Sequence, residues 1–418
     1  MMLRGILVFT AVLAAALPAQ AEPLTWEKAV SIARDKNPEI LSAQSFVKSA
    51  RAAYLASLSG FFPQVTGSAG VTHFDTAGDG APSASDRSMS LSAQQSLFSG
   101  FGTKAAADSA EARWRARQAL LSQAEAQARS DLRTSFADLL YAQENVSLLE
   151  KIHGRRRDNR DLIKLRYKAG RENLGSLLRA EALLSRASFE LARAGREQST
   201  SKIRLARTLG VKSDSIESAA GDFSVIYSSI TPDIAGLVRQ TPSALVSQYQ
   251  YEGARSQVAF ARSDFFPDLS LSAVGRRSLS DGSASRDSWS AGGSISYNFF
   301  SGASDLQGVR QARADLSQAS YDFDSVLRET EADLEEFHAG FVNAAELVKV
   351  QEEFLKASQE RAKIARAQYS NGLVSFQDWD LIENDLINSE KDSLTARRGA
   401  VLAEAAWDRA VGKGLETP

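Results

Sequence analysis

Four carboxylates open the last helical stretch of this 418-residue chain: Asp378, Asp380, Glu383 and Asp385. Acids in a first helical turn complement the helix dipole, and a solvated face accounts for the rest. If copies of the chain meet around an axis, one inward carboxylate from each forms a ring. Like charges at close range resist ionising together, so such a ring raises its own pKa values and holds cations. Trp379 and Tyr369 stand beside this quartet. A second charged run makes the lower part of an earlier helix basic: Arg155, Arg156, Arg157, Arg160, Lys164, Arg166, Lys168 and Arg171. It reads as a solvated helix face, or as a docking surface for an acidic partner protein.

Other chemistry is harder to place. Asp75, Asp79, Gly80 and Asp86 echo a calcium loop, but Ala77 occupies a ligand position. His73, His153 and His338 are scattered without metal-ligand spacing. Gly100-Phe101-Gly102-Thr103-Lys104 lacks the spacing of a phosphate loop and reads as a strand-to-helix junction. With no nucleophile motif and no convergent catalytic set, the chain is not read as an enzyme, and it implies no catalytic residue, metal or cofactor. Net charge is −2, which gives no electrostatic footprint for nucleic acid.

The elements that hold these residues occur twice. Phe61-Phe62-Pro63 recurs 204 residues later as Phe265-Phe266-Pro267. Leu97-Phe98-Ser99-Gly100 recurs after 202 as Phe299-Phe300-Ser301-Gly302. Tyr167-x-x-Gly170 matches Tyr369-x-x-Gly372, and Leu209-Gly210 matches Val411-Gly412, again after 202. A constant offset means no net insertion between these points, as befits helices whose length is fixed by a spanning role. Each half reads as helix, two strands, a very long helix, a turn and a return helix. Ala128, Leu132, Phe136, Leu139, Val146 and Leu149 recur at helical spacing, and so do Phe337, Phe341, Val348 and Leu355. Residues 103–168 as one helix would span about 100 Å at roughly 1.5 Å per residue. That length reads as coiled coil, with an Ala-rich seam that lets neighbours approach closely.

The strands alternate. Val65, Gly67, Ala69 and Val71 share one face; so do Leu91, Ala93, Gln95 and Leu97, then Leu269, Leu271 and Ala273, then Trp289, Ala291, Gly293, Ile295 and Tyr297. Their lengths suit a tilted membrane strand. Val71, Leu91, Leu271 and Ile295 are the expected lipid-facing positions. Aromatic residues gather at one end of every strand: Phe61, Phe62, Phe98, Phe265, Phe266, Phe299 and Phe300, as in an aromatic girdle. Four strands cannot close a barrel, and an open edge in lipid leaves backbone groups unsatisfied. The barrel must then be shared between two or more chains. A soluble β-sandwich is the competing reading of the same strands.

Residues 1–21 read as a signal peptide: Arg4, the apolar run Gly5 to Leu17, and the cleavage site Ala19-Gln20-Ala21. The chain has no cysteine, so neither disulfides nor Cys-linked lipid is expected.

An opening segment and four motifs repeated in register across this duplication resemble the TolC-like outer-membrane efflux family. They are Leu24-Thr25-Trp26 with Ala29 and Asn37-Pro38, the two Phe-Phe-Pro segments, the two Phe-Ser-Gly segments, the two Tyr-x-x-Gly turns and the terminal Leu-Gly and Val-Gly pairs. The resemblance spans essentially the whole mature chain. It implies a homotrimer in outer-membrane lipid with a twelve-stranded β-barrel and a long α-helical periplasmic tunnel. It also implies a periplasmic adaptor (membrane fusion) protein and an inner-membrane pump as partners. On this basis Tyr167, Gly170, Arg171, Gly372 and Leu373 are candidates for the tip that the adaptor touches, and Tyr369, Asp378, Trp379 and Asp380 for the periplasmic gate. Asp378 is similar to a family gate aspartate; the second such aspartate falls at Leu381 and the gate arginine at Val374, so the latch departs from the family pattern.

The expected organisation is a first repeat at 22–210, with strands 63–75 and 87–98, long helix 103–168 and return helix 174–209. A linker follows at 211–231. The second repeat, 232–412, has strands 267–279 and 286–300, long helix 305–370 and return helix 375–411, and 413–418 is a tail. The expected function is a passive exit duct for small toxic compounds or metal ions in a tripartite export system. A duct for secreted polypeptides and a periplasmic coiled-coil structural protein without a pore are the alternatives.

Overall fold

The computed structural model describes residues 23–74, 84–223, 225, 232–280 and 284–416. The signal segment, most of both hairpin loops, part of the linker and the calcium-like positions Asp75, Asp79 and Gly80 lie outside them. The described chain is mostly helical and carries four strands. In the first half α1 (Trp26–Lys36) and α2 (Pro38–Ser57) precede β1 (Gln64–Phe74), β2 (Ala84–Ser99), α3 (Gly102–Lys168) and α4 (Leu174–Leu209). In the second half α5 (Ile234–Val238) and α6 (Pro242–Ser263) precede β3 (Asp268–Ser280), β4 (Arg286–Ser296), α7 (Ser304–Ser370) and α8 (Phe376–Val411). The single opening helix expected in each half is two helices. The breaks fall before Pro38 and Pro242, whose rings fit a first helical turn, with Asn37 and Thr241 as side-chain caps.

The duplication is legible in the backbone. α3 and α7 have 67 residues each, and α4 and α8 have 36 each. Left-handed residues recur at the same offset: Gly100 and Gly302, Phe101 and Ala303, Gly170 and Gly372, Gly210 and Gly412. Among the described residues no helix is long and apolar enough to cross a membrane.

The chain divides into two compact units. One comprises residues 34–133, 225–351 and 399–418, and it contains the sheet. The order is β1-β2-β3-β4, antiparallel throughout, which leaves β1 and β4 as free edges. Paired residues share a face. Val71 lies opposite Arg87, Leu91 opposite Gly67 and Gly275, Leu271 opposite Gly293, and Leu269 opposite Ile295. The four expected lipid-facing residues therefore stand on one face, with Met89, Ala93, Ala273 and Trp289, and with Arg87 and the Arg277–Asp287 ion pair toward the hairpin loops. The opposite face is Thr66, Ser68, Ser88, Ser90, Ser92, Ser270, Ser272, Ser290 and Ser294. The apolar face is open: Ile295 is 74% and Trp289 84% exposed.

Two strand expectations need correction. A register shift between Ser96 and Phe98 sets Phe98, not Leu97, opposite Leu269; the extra residue is a β-bulge. β4 stops at Ser296, four residues short of the expected Phe300. Ser296 pairs with Asp268, and the next partner would be Pro267, which has no N–H to extend the ladder. Tyr297, Phe299 and Phe300 consequently follow the strand instead of ending it. Elsewhere in this unit α3 buries Ala105, Ala112, Ala119 and Ala126, while Leu334 packs with Ile234, Val238 and Trp407.

The other unit comprises residues 1–33, 134–224 and 352–398. It holds the ends of the long helices, all of α4 and the first part of α8. Phe136, Leu139, Leu149, Ile152 and Ile163 are buried along α3. Trp26 packs edge-on against Phe136 at 5.7 Å, and Leu24 bridges to Ala219.

Candidate functional site

The two turns that reverse the long helices close in the same way. Tyr167 and Tyr369 accept hydrogen bonds from the N–H groups of Gly170 and Gly372, and Arg171 and Leu373 donate back to the carbonyls of Arg166 and Gln368. This pattern requires a left-handed residue at the third position, which glycine supplies at φ 69° and 77°. Each return helix is then capped by a side chain. Asn173 accepts from the N–H of Ser176. The Ser375 hydroxyl accepts from the N–H of Asp378 and donates to its carboxylate at 2.7 Å. Asp378 is thus a solvent-exposed first-turn acid in a reciprocal cap.

Tyr369 is at the centre of a buried stack. Its ring lies nearly parallel to Trp379 at 4.4 Å, with the Arg166 guanidinium over it, 4.7 Å from its centroid. Its hydroxyl donates to Glu172 at 2.9 Å, and Arg166 donates to its carbonyl. Burial, then the neighbouring Glu172 carboxylate, pushes the Tyr369 phenol well above its ordinary pKa. Ile163, Leu177, Ala180, Ala365 and Phe376 complete the cluster. Trp379 is 2% exposed, and its indole N–H has no partner.

Beside this stack lies an ion-pair network. Asp380, 3% exposed, accepts from Arg156 at 3.2 Å and from Arg179 at 2.8 Å. Arg156 also donates to Asn384 at 2.6 Å. Arg155 holds Glu390 with both terminal nitrogens, and its Nε lies 3.1 Å from buried Glu383. Burial draws the Arg156 pKa down, against the pull of Asp380 and Glu383. Removing charges from water costs several kcal/mol each, so such a network persists only when its members are paired.

The structure therefore separates residues that the sequence grouped. Of the gate candidates, Tyr369, Trp379 and Asp380 are buried within this unit, and Asp378 alone faces solvent. Of the tip candidates, Tyr167, Arg171 and Leu373 are exposed beside Gly170 and Gly372, Leu373 at 73%. The basic run is not one continuous solvated face. Arg155 and Arg156 turn inward to α8 because Asp380, Glu383 and Glu390 await them there, and Arg166 covers Tyr369; Arg157, Lys164, Lys168 and Arg171 remain exposed. Sequence reasoning did not single out Arg179, Glu172 or Glu390. Their signal was available: at the same offset Arg179 is replaced by Leu381, and Glu390 by Ser188.

The sequence profile described as outer membrane efflux protein matches residues 29–211 and 238–413. The chain belongs to the outer membrane efflux protein family. No curated protein sequence matches it significantly. Solved structures show the same fold. A membrane protein from Pseudomonas aeruginosa superposes with TM-score 0.83 at 19% identity, covering 92% of each chain. The outer-membrane channel OprN gives 0.82 at 21%, covering 93% of this chain and 90% of its own. The outer membrane protein VceC from Vibrio cholerae gives 0.80 at 20%, covering 93% and 96%. This is the TolC-like family to which the sequence motifs pointed, and its fold carries the duplicated halves described above.

Proposed function

We propose that three copies of this chain assemble in the outer membrane into a twelve-stranded barrel continued by a helical tunnel. The assembly is a passive exit duct for small toxic compounds or metal ions, driven by an inner-membrane pump through a periplasmic adaptor. The observation that carries this reading is the sheet. One face is mainly apolar and open, with Arg87 and the Arg277–Asp287 ion pair toward the hairpin loops. The other is lined mainly by serine and threonine, and among the described residues both edges lack strand partners. In water such a sheet would aggregate, and in lipid its edges would stay unsatisfied; closure with copies of itself removes both difficulties. Phe61, Phe62, Phe98, Phe265, Phe266, Phe299 and Phe300, at one end of the sheet, form the periplasmic-side girdle on this reading.

The exposed turn residues Tyr167, Gly170, Arg171, Gly372 and Leu373 are the adaptor-facing tip. Asp378 is the gate carboxylate open to solvent, and three copies would crowd into a cation-holding ring. Asp380 and Trp379 act behind it by fixing α8. Mass measurement in detergent tests the assembly, with three chains expected and a stable membrane-embedded monomer excluding it. In planar bilayers, divalent cations on the periplasmic side should block the pore. Asp378→Asn should relieve the block, and Trp379→Ala should raise resting conductance. Unchanged block and conductance in both variants would place the gate elsewhere.

A further inference from the structure

We propose that the two halves of the chain recognise one another through a charge code whose polarity reverses along the helices, and that this code forbids pairing between like halves. Near the turns the first half supplies cations and the second half supplies anions. Arg156 and Arg179 meet Asp380, and Arg155 meets Glu383 and Glu390. Farther along, the roles exchange. Lys391 meets Glu190 at 2.7 Å, Arg397 meets Glu144 at 2.7 Å, and Arg398 meets Asp138 at 2.6 Å.

The duplication gives this pattern its meaning. Two halves of one ancestry, with matched helix lengths and matched turns, present nearly the same backbone to each other, so shape alone distinguishes a like pairing poorly from an unlike one. The code is where the halves differ. At the 202-residue offset Arg155, Arg156 and Arg179 become Ala357, Ser358 and Leu381; Lys391 and Arg397 become Phe189 and Gly195. Of the six cations, Arg398 alone keeps a counterpart, Arg196. If two second halves paired, Asp380 and Glu383 would be buried against Ala357, Ser358 and Leu381 with no cation. If two first halves paired, Arg155, Arg156 and Arg179 would meet Leu178, Glu181 and Ser188. An unpaired buried charge is heavily disfavoured. Near the turns a second-half pair therefore strands Asp380 and Glu383, and a first-half pair strands Arg156 and Arg179 while leaving Glu181 for Arg155. Farther along, Asp392 and Glu346 are the counterparts of Glu190 and Glu144, so the rejection of like pairs rests on the cluster near the turns. The reversal adds register, because sliding one half along the other brings like charges together.

The reading concerns pairing within the fold and stands apart from what the duct exports. It is tested in the full-length chain by the yield of folded, heat-modifiable protein in the membrane. Reversing one side, Arg155→Glu with Arg156→Glu, should lower that yield about tenfold or more, since a buried like-charge contact exceeds the ~1.4 kcal/mol that one decade represents. Adding Arg179→Glu, Asp380→Arg, Glu383→Arg and Glu390→Arg reverses every partner of the pair and should recover most of the loss. A swapped chain no better than the one-sided reversal overturns the code. A second variant covers the case in which reversals do not fold at all. The four groups at the centre of the network are replaced by apolar ones (Arg155→Met, Arg156→Met, Asp380→Leu, Glu383→Leu) in a chain whose single cysteine, Ala187→Cys, lies with Ile387 in the seam between the halves. Chain-to-chain disulfides at position 187 in that variant, and none with the code intact, support the proposal. Their absence from both overturns it.

Discussion

The two halves have matched backbones and unmatched interiors. The lengths of the long and return helices and their left-handed turn residues agree position for position, yet buried Arg156 of the first half faces buried Asp380 of the second. The same contrast appears at the strand-to-helix junctions. A side chain at Gly100 would meet the Ser263 carbonyl at 2.4 Å, whereas a side chain at Gly302 would meet nothing within 4 Å. Duplication conserves what the backbone must do to span and turn. Side chains diverge because each half packs against the other, not against a copy of itself.

The largest expected effect tests that divergence directly. Asp380→Ala strands the buried Arg156 and should cost about 3–5 kcal/mol. The equivalent change in the first half, Leu178→Ala, falls on an exposed residue and should stay within about 0.5 kcal/mol. Chemical unfolding in detergent compares the two, and equal losses would deny the asymmetry.

The sheet should behave in the opposite way, with both halves equally sensitive. Arginine at Leu91 or Leu271, in mid-sheet, should cost about 2–4 kcal/mol each, and less at Val71, which already faces Arg87, and at Ile295, one residue from the end of β4. Arginine at Ser90 or Ser272, on the other face, should be tolerated. Folding into lipid vesicles reads this out, and a reversed ranking of the faces would invert the barrel.

The junction glycines sharpen the comparison further. Gly302→Ala carries the backbone cost alone, about 1–2 kcal/mol at positive φ. Gly100→Ala adds the clash with Ser263 and should cost about 1–3 kcal/mol more. Melting temperatures of the two variants settle the difference.

The smallest effect is in acid. Burial alone would raise the Glu190 pKa, but Lys391 and Arg186 outweigh it and hold it below its ordinary 4.5. A carboxylate depressed in the folded state stabilises above its unfolded pKa and loses that contribution as pH falls through its folded value. Glu190→Gln should therefore flatten part of the stability loss below about pH 4.5 and lower stability slightly at neutrality. Glu404 has the opposite sign: burial raises its pKa despite Arg133, so Glu404→Gln should not relieve acid sensitivity.

Periodic and local properties were legible in the sequence alone. The offset of 202, the 3.6-residue pattern of the long helices, the glycine turns and the alternation that sets Val71, Leu91, Leu271 and Ile295 on one face all follow from short-range chemistry that repeats along the chain. The alternation left only the bulge at Ser96 and the early end of β4 to be found, because both depend on the neighbouring strand. The partners of charged side chains were not legible. Arg155 and Arg156 sit in a run that a sequence reads as solvated, and only packing against α8, more than 220 residues away, shows them buried on Asp380, Glu383 and Glu390. Asp378 and Asp380 look interchangeable in the sequence. Two helical steps, about 100° each, turn the first to solvent and the second into the core, and it is tertiary contact with Arg156 that fixes which is which.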